Sequence, residues 1–123
     1  MAASLYGPVV ADHAKHPRNQ GALQQPDLAH EAVNALCGDR IRLELHLREG
    51  RIGAAGFQGE GCMVALAAAS VLTELVQGLS LVEAAALPDA TLLAALQAQL
   101  RPSRIGCATL PLVALRNALA RSR

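Results

Sequence analysis

The chain has no tryptophan, one tyrosine (Tyr6), one phenylalanine (Phe57) and a single lysine (Lys15) among its 123 residues. Without aromatic bulk the core has to be built from Leu, Ala, Val and Ile, and small side chains of that kind favour closely packed helices. A surplus of charge of either sign is also missing, since 11 basic and 10 acidic residues leave a formal net charge of +1. A nucleic-acid-binding face ordinarily carries a clustered basic excess. Here Arg40, Arg42, Arg48 and Arg51 alternate with Glu44, Glu49 and Glu60, which reads as a mixed solvated face and excludes nucleic acid as a partner. No apolar run reaches the ~18 residues that a membrane span needs. The longest, Cys62 to Thr73, is followed by Glu74, so no membrane role is expected. The start, Met-Ala-Ala-Ser-Leu-Tyr-Gly-Pro, has neither the charged head nor the long apolar stretch of an export signal, which makes the reducing cytoplasm the expected compartment. An odd number of cysteines in that setting (Cys37, Cys62 and Cys107) speaks against disulfides and for metal binding or thiol chemistry.

No repeat, low-complexity tract or long linker divides the chain, so residues 1–123 are expected to form one domain. Residues 4–15 read as a helix with Ser4 as a candidate N-cap and Pro8 near the first turn, stopped at His16 by Pro17. The segment 22–32 is polar and irregular, with a short edge strand expected near Ala32 to Asn34. Arg40 to Arg48 alternates without a fault and predicts a half-buried strand with its odd-numbered side chains inward. Glu49-Gly50 makes the turn, and Arg51 to Gln58 returns as the next strand. From Met63 the period becomes helical, through Leu66, Val71 and Leu75 to a natural stop at Gly78. Ser80-Leu81-Val82-Glu83 is a capping-box pattern opening a further helix that Pro88 ends. Asp89 is expected to cap a helix carrying Leu92, Leu93, Leu96 and Leu100 and broken by Pro102. Thr109 and Pro111 are expected to start the last helix, after Cys107. The order predicts an α+β fold: a three-stranded antiparallel sheet with helices packed on one face.

Chemistry concentrates at three places. In Cys37-Gly38-Asp39, residues two apart on extended backbone point to one side, so a thiol and a carboxylate address one point. In Gly59-Glu60-Gly61-Cys62, two glycines allow close backbone approach to a ligand, and the N–H groups of the following helix start favour a Cys62 thiolate. Ile105-Gly106-Cys107 again sets a cysteine at an expected helix boundary. A single free cysteine is often just a small buried hydrophobe. Three at element boundaries, each beside a glycine and one also paired with aspartate, read better as thiolate ligands, although no CxxC knuckle is present.

At these residues the chain resembles the U-type iron–sulfur cluster assembly scaffolds (IscU, SufU and the N-terminal domain of NifU). The likeness runs from Leu5-Tyr6 through Asp12-His13 and Pro17-Arg18-Asn19 to Gly21, then through Cys37-Gly38-Asp39, Gly59-Glu60-Gly61-Cys62 and Arg104-Ile105-Gly106-Cys107-Ala108-Thr109-Leu110. The resemblance implies a SufE/NifU-like fold and a transient [2Fe–2S] cluster built on Cys37, Cys62, Cys107 and Asp39, or Zn²⁺ held at the same site. It implies that Cys107 accepts persulfide sulfur from a cysteine desulfurase, that Asp39 promotes cluster release, and that apo iron–sulfur proteins receive the cargo. A carboxylate is a harder, weaker partner than thiolate for iron in a sulfide cluster, which suits a carrier that must let go. The alternative reading is a zinc-dependent sulfurtransferase of the SufU kind. A weaker third is a family member that binds no cluster and serves only as an interaction module.

Two departures bear on that choice. The IscU branch has a histidine before its third cysteine, where this chain has Gly106, and Leu100-Arg101-Pro102-Ser103-Arg104 only loosely echoes that branch's segment for an Hsp70-type chaperone. The SufU branch lacks the histidine too, but carries an insertion that the 45-position step from Cys62 to Cys107 leaves no room for. The four histidines, His13, His16, His30 and His46, invite a ligand role that is not assigned to any of them: His46 falls on the outward parity of its strand, and His13 and His16 flank a helix end where imidazoles satisfy carbonyls. Arg104 stands three residues before Cys107, where it either offsets thiolate charge or is simply solvated, and Glu60 has no assigned partner. Ser70 and Thr73 belong to a helix face with no triad spacing.

Overall fold

A computed structural model describes residues 6–121, so the Ser4 cap lies outside the described residues. Helix α1, Pro8–Lys15, starts with proline at its first position, where the missing N–H costs no helical bond, and it buries Val10 and His13. Three strands follow, β1 (Leu28–Asn34), β2 (Asp39–Arg48) and β3 (Arg51–Glu60), forming an antiparallel sheet in the order β1-β2-β3. Strand β1 is longer than its sequence announces. It is an outer strand with only Ala32 buried, so the alternation that would have marked it is nearly absent, and pairing with β2 from Leu28↔Leu45 to Asn34↔Asp39 sets its length. The β2–β3 turn places both Glu49 (φ 53) and Gly50 (φ 77) in the left-handed region, the geometry whose twist matches a two-residue hairpin.

The odd-numbered face of β2 is inward as expected. Ile41, Leu43 and Leu45 are fully buried, each contributing roughly 1.5–3 kcal/mol. Ile41, Leu43 and Phe57 pack under Ala69 of α2 (Met63–Val76) and Leu110 and Ala114 of α5 (Pro102–Ala120). Helix α2 is buried almost all round, and its run of alanines is what lets it lie so close to the sheet. No described helix is long and apolar enough to cross a membrane.

The even face departs from the solvated reading. Residues 19–21 pair with the free edge of β3, Gly21 N–H donating to the Phe57 carbonyl at 2.8 Å and Phe57 N–H to that of Asn19 at 3.0 Å. The segment then crosses the back of the sheet, where Leu23 N–H donates to Glu44 Oε1 at 2.8 Å and Arg42 Nε to Oε2 at 2.8 Å. Glu44 is therefore only 4% exposed. Burial raises its pKa, but the Arg42 and Leu23 hydrogen bonds outweigh this and hold the carboxyl below its ordinary value.

The helical half keeps the expected capping box and departs from expectation in α4 and α5. Helix α3, Leu81–Ala85, has the capping box in full, Glu83 N–H to Ser80 Oγ at 3.0 Å and Ser80 N–H to Glu83 Oε1 at 2.8 Å. In α4, Asp89–Leu96, Asp89 is the first helical residue rather than the cap, and its carboxylate meets Arg116 Nη2 of α5 at 2.9 Å. Helix α4 stops at a left-handed Gln97 (φ 51), leaving Leu100 outside. Pro102 begins α5 rather than breaking α4, and Pro111 sits inside α5 rather than at its start, so Cys107 is a helical residue. Pro111 has no N–H to return to the Cys107 carbonyl four residues back. The helix continues because Ala108, Leu110, Leu112, Ala114 and Leu115 are all buried against its neighbours.

Candidate metal centre

Each of the four expected residues is held by a different piece of local structure. Asp39 is the first residue of β2 and only 1% exposed, while Cys37 is exposed in the preceding turn. Cys62 precedes the first residue of α2 with extended backbone (φ −70, ψ 165), and its side chain makes no capping bond. Cys107 is fully buried in α5.

The fold brings these groups to one end of the sheet. The Sγ atoms of Cys107 and Cys37 lie 3.3 Å apart, and Cys62 Sγ is 3.9 Å from Asp39 Oδ2. Donor atoms of Cys37, Asp39 and Cys107 all fall within 4.8 Å of one another, the one such group among the described residues. Cys62 joins it through Asp39, whose Oδ1 accepts the Cys62 N–H at 2.9 Å. The N–H of Cys62 itself is thus taken by the Asp39 carboxylate. The glycine argument changes with it. A Cβ on Gly61 would lie 2.6 Å from Asp39 Oδ1, so the close approach that Gly61 permits is to this carboxylate.

Arg104 points its Nη1 at Cys107 Sγ across 4.0 Å and is held more firmly cationic, first by that contact and then by Tyr6 and Cys62. Burial pushes the Cys107 thiol well above its ordinary range, reinforced by its contacts with Asp39, Cys37 and Cys62 and opposed by Arg104. Three sulfurs and a buried carboxylate crowded together suit a cation. This donor set can complete a tetrahedral zinc site, and its thiolates suit iron in a sulfide cluster. One wall is sealed by Asp39 and Cys107, and the other, at Cys37, opens to solvent.

No histidine joins this group. His13 Nδ1 meets Ser70 Oγ at 2.7 Å and its Nε2 lies 3.8 Å from Glu74. Ser70 also accepts the Arg18 N–H at 2.8 Å, and Asn19 Nδ2 donates to Thr73 Oγ1 at 3.1 Å. Ser70 and Thr73 are therefore buried anchors that dock α1 and the following turn onto α2, a role that sequence spacing did not disclose. His46 Nε2 pairs with the Gln24 carbonyl at 2.5 Å, and Arg121 Nε donates to His30 Nδ1 at 3.3 Å. Sequence reasoning also missed Asn34, whose carbonyl accepts the N–H of Cys37 at 3.3 Å and of Gly38 at 2.8 Å while its Oδ1 accepts that of Leu36 at 3.1 Å. The available signal was an Asn two residues before an exposed N–H, the pattern of an Asx turn.

Comparison with known proteins gives a consistent answer. Residues 5–122 match the family described as NifU-like N terminal domain. The chain is 41% identical over 75 residues to the zinc-dependent sulfurtransferase SufU of Bacillus subtilis, covering 61% of this chain and half (50%) of the length of that protein. It is 36% identical over 137 residues to the iron–sulfur cluster assembly scaffold protein IscU of Streptococcus pyogenes, covering 96% of this chain and 84% of that one. The crystal structure of a nitrogen-fixing NifU-like protein (N-terminal) from Brucella abortus superposes with a TM-score of 0.78 at 19% identity, over 95% of this chain and 93% of that one, and so shares the fold. The sheet order, the three cysteine-bearing turns and helix, and a match over nearly the whole chain lead to one conclusion: this protein belongs to the NifU-like N-terminal domain family.

Proposed function

We propose that this chain is a cytoplasmic iron–sulfur cluster assembly scaffold, building a transient [2Fe–2S] cluster on Cys37, Cys62, Cys107 and Asp39 and passing it to apo-proteins. The observation that carries this reading is the half-open centre: three thiols and a buried carboxylate at one end of the sheet, with donor atoms of Cys37, Asp39 and Cys107 within 4.8 Å of one another and Cys37 exposed. A resident structural metal is better served by a closed site. A cargo that arrives and leaves needs a way out.

Sulfur comes from a cysteine desulfurase as a persulfide. The Cys107 thiolate attacks its outer sulfur, forming a new S–S bond on Cys107 and releasing the donor's thiolate, with no net electron transfer. Burial holds the free Cys107 side chain as the neutral thiol, and Arg104, 4.0 Å from that sulfur, works against this, so the proton Cys107 gives up passes to the departing donor thiolate. Converting persulfide sulfur to the sulfide of the cluster consumes electrons from an external reductant, and Fe²⁺ enters at Cys37, Asp39 and Cys62. Asp39 supplies the weak bond. Its Oδ1 is already engaged by the Cys62 N–H, which leaves Oδ2 as a single, hard oxygen donor to the cargo.

Zinc-dependent sulfur transfer is the second reading, favoured by the 41% identity to SufU and by a donor set that suits tetrahedral zinc. Cys37, Asp39, Cys62 and Cys107 would then hold Zn²⁺, which keeps bound thiolates deprotonated and ready for sulfur exchange. In both readings the Leu100–Arg104 segment is not assigned to an Hsp70-type chaperone.

Anaerobic purification, metal analysis and reconstitution with desulfurase, cysteine, Fe²⁺ and a thiol reductant separate the two. A visible cluster that moves to an apo-ferredoxin is the expected result, with Asp39→Ala slowing the transfer. Stoichiometric zinc that stimulates the desulfurase, with no cluster formed, would establish the second reading instead.

A further inference from the structure

The turn that carries Cys37 has no apolar anchor of its own. Ala35, Leu36, Cys37 and Gly38 are all exposed, Leu36 at 98%, so burial does nothing to fix the position of the Cys37 thiol. Hydrogen bonds to one residue hold the turn instead. Asn34, the last residue of β1, faces Asp39 across the strand pair; its main-chain carbonyl accepts the N–H groups of Cys37 (3.3 Å) and Gly38 (2.8 Å), and its side-chain Oδ1 accepts that of Leu36 (3.1 Å), the one bond of the three that needs the asparagine. Because Oδ1 is committed to Leu36, the NH₂ end of the amide turns toward α5, where it meets Gly106. A Cβ at position 106 would lie 3.2 Å from Asn34 Nδ2, tighter than an ordinary contact. The next residue is Cys107, with its sulfur 3.3 Å from that of Cys37.

We infer that Asn34 is a positioning residue of the metal centre: its hydrogen bonds set the Cys37 turn, and its amide against Gly106 sets how closely α5 brings Cys107 to it. The inference rests on the metal-centre reading of Cys37 and Cys107. Outer residues that orient ligands typically govern metal affinity by about ten- to a hundredfold. Asn34 makes no bond to the ligand sulfurs themselves, so its effect is expected at the lower end of that range.

The test uses Co²⁺ as the probe, bound anaerobically to the full chain, with affinity read by competition against a chelator and ligand geometry read from the visible spectrum. Asn34→Ala should weaken Co²⁺ binding about tenfold, broaden the spectrum and speed alkylation of Cys37 in the metal-free protein. Asn34→Ser, which restores an acceptor for the Leu36 N–H, should recover part of each effect. Gly106→Ala should weaken binding in the wild-type background and have less effect beside Asn34→Ala, because removing the amide makes room. Wild-type Co²⁺ affinity and spectrum in Asn34→Ala, alongside loss of Co²⁺ in Cys37→Ser, would overturn the inference while leaving the centre intact. Should Asn34→Ala fail to fold, strictly additive effects of Gly106→Ala and Asn34→Ser would overturn it equally. Unchanged Co²⁺ binding in Cys37→Ser would defeat the centre itself, and the inference with it.

Discussion

Two helix starts in this molecule solve the same problem in opposite ways. At α3, Ser80 and Glu83 bond reciprocally across three residues and close the end with the segment's own side chains. At α2, Cys62 contributes no capping bond, and the cap comes from Asp39, 23 residues earlier and on another element. The first arrangement is local and uses up its side chains. The second leaves the Cys62 sulfur out of the cap and ties its backbone to the Asp39 carboxylate. In the proposed centre the borrowed cap is thus a bond between two candidate ligands, whereas the capping box serves the fold alone.

Substitutions at the two helix starts should therefore have different consequences. The largest effect is expected from Gly61→Ala, whose Cβ would sit 2.6 Å from Asp39 Oδ1 and 3.1 Å from Asp39 Cβ. Forcing the buried carboxylate aside should cost about 1–3 kcal/mol in urea unfolding and weaken metal binding along with it, without abolishing it. Asp39→Ala removes the borrowed cap and should cost roughly 1–2 kcal/mol, with Asp39→Asn recovering most of the stability, because an amide oxygen still accepts the Cys62 N–H, without recovering cluster transfer. Ser80→Ala should cost about 1 kcal/mol and leave metal affinity untouched, which is the local cap's signature. A fall in metal affinity on Ser80→Ala would erase the distinction between the two ends.

The smallest effect concerns the α1 dock. Burial, then the charge of Arg18, lowers the pKa of His13 below its ordinary 6.5, against the opposing pull of Glu74 and Asp12. The folded state therefore binds this proton less readily than the unfolded chain. Its stability contribution is complete above 6.5 and is lost as pH falls through the lower folded-state value. The His13 imidazole should titrate below 6.5 by NMR, and His13→Gln should flatten the acid limb of the stability profile. An unshifted titration would remove the dock from the account.

What was legible in the sequence divides along the same line. The β2–β3 hairpin, the Met63 start of α2 and the capping box at Ser80 all rest on neighbours in sequence, and all three stand in the structure. The four candidate site residues were legible as chemical types, since three thiols and a carboxylate in glycine-flanked positions are hard to read as core. Their support was not. The Asp39 bond to Cys62, the Gly106 contact with Asn34 and the Ser70 bond to His13 join positions far apart in sequence, with no periodicity to announce them. The start of α5 was misread for a related reason: Pro111 has the local preference of a helix opening, and only the packing of the buried residues around it carries the helix through. Glu44 looked solvated because its strand alternates, while the cover over it comes from a segment with no regular pattern.

In the proposed function Cys37, Cys62, Cys107 and Asp39 form one centre whose cargo is an iron–sulfur cluster. Native mass spectrometry of the anaerobically reconstituted chain reads that cargo directly. The expected result is an adduct of two iron and two sulfide per chain, lost in each single Cys→Ser variant and removed on adding apo-ferredoxin. An adduct that survives all three substitutions, or zinc alone in its place after reconstitution, would contradict it.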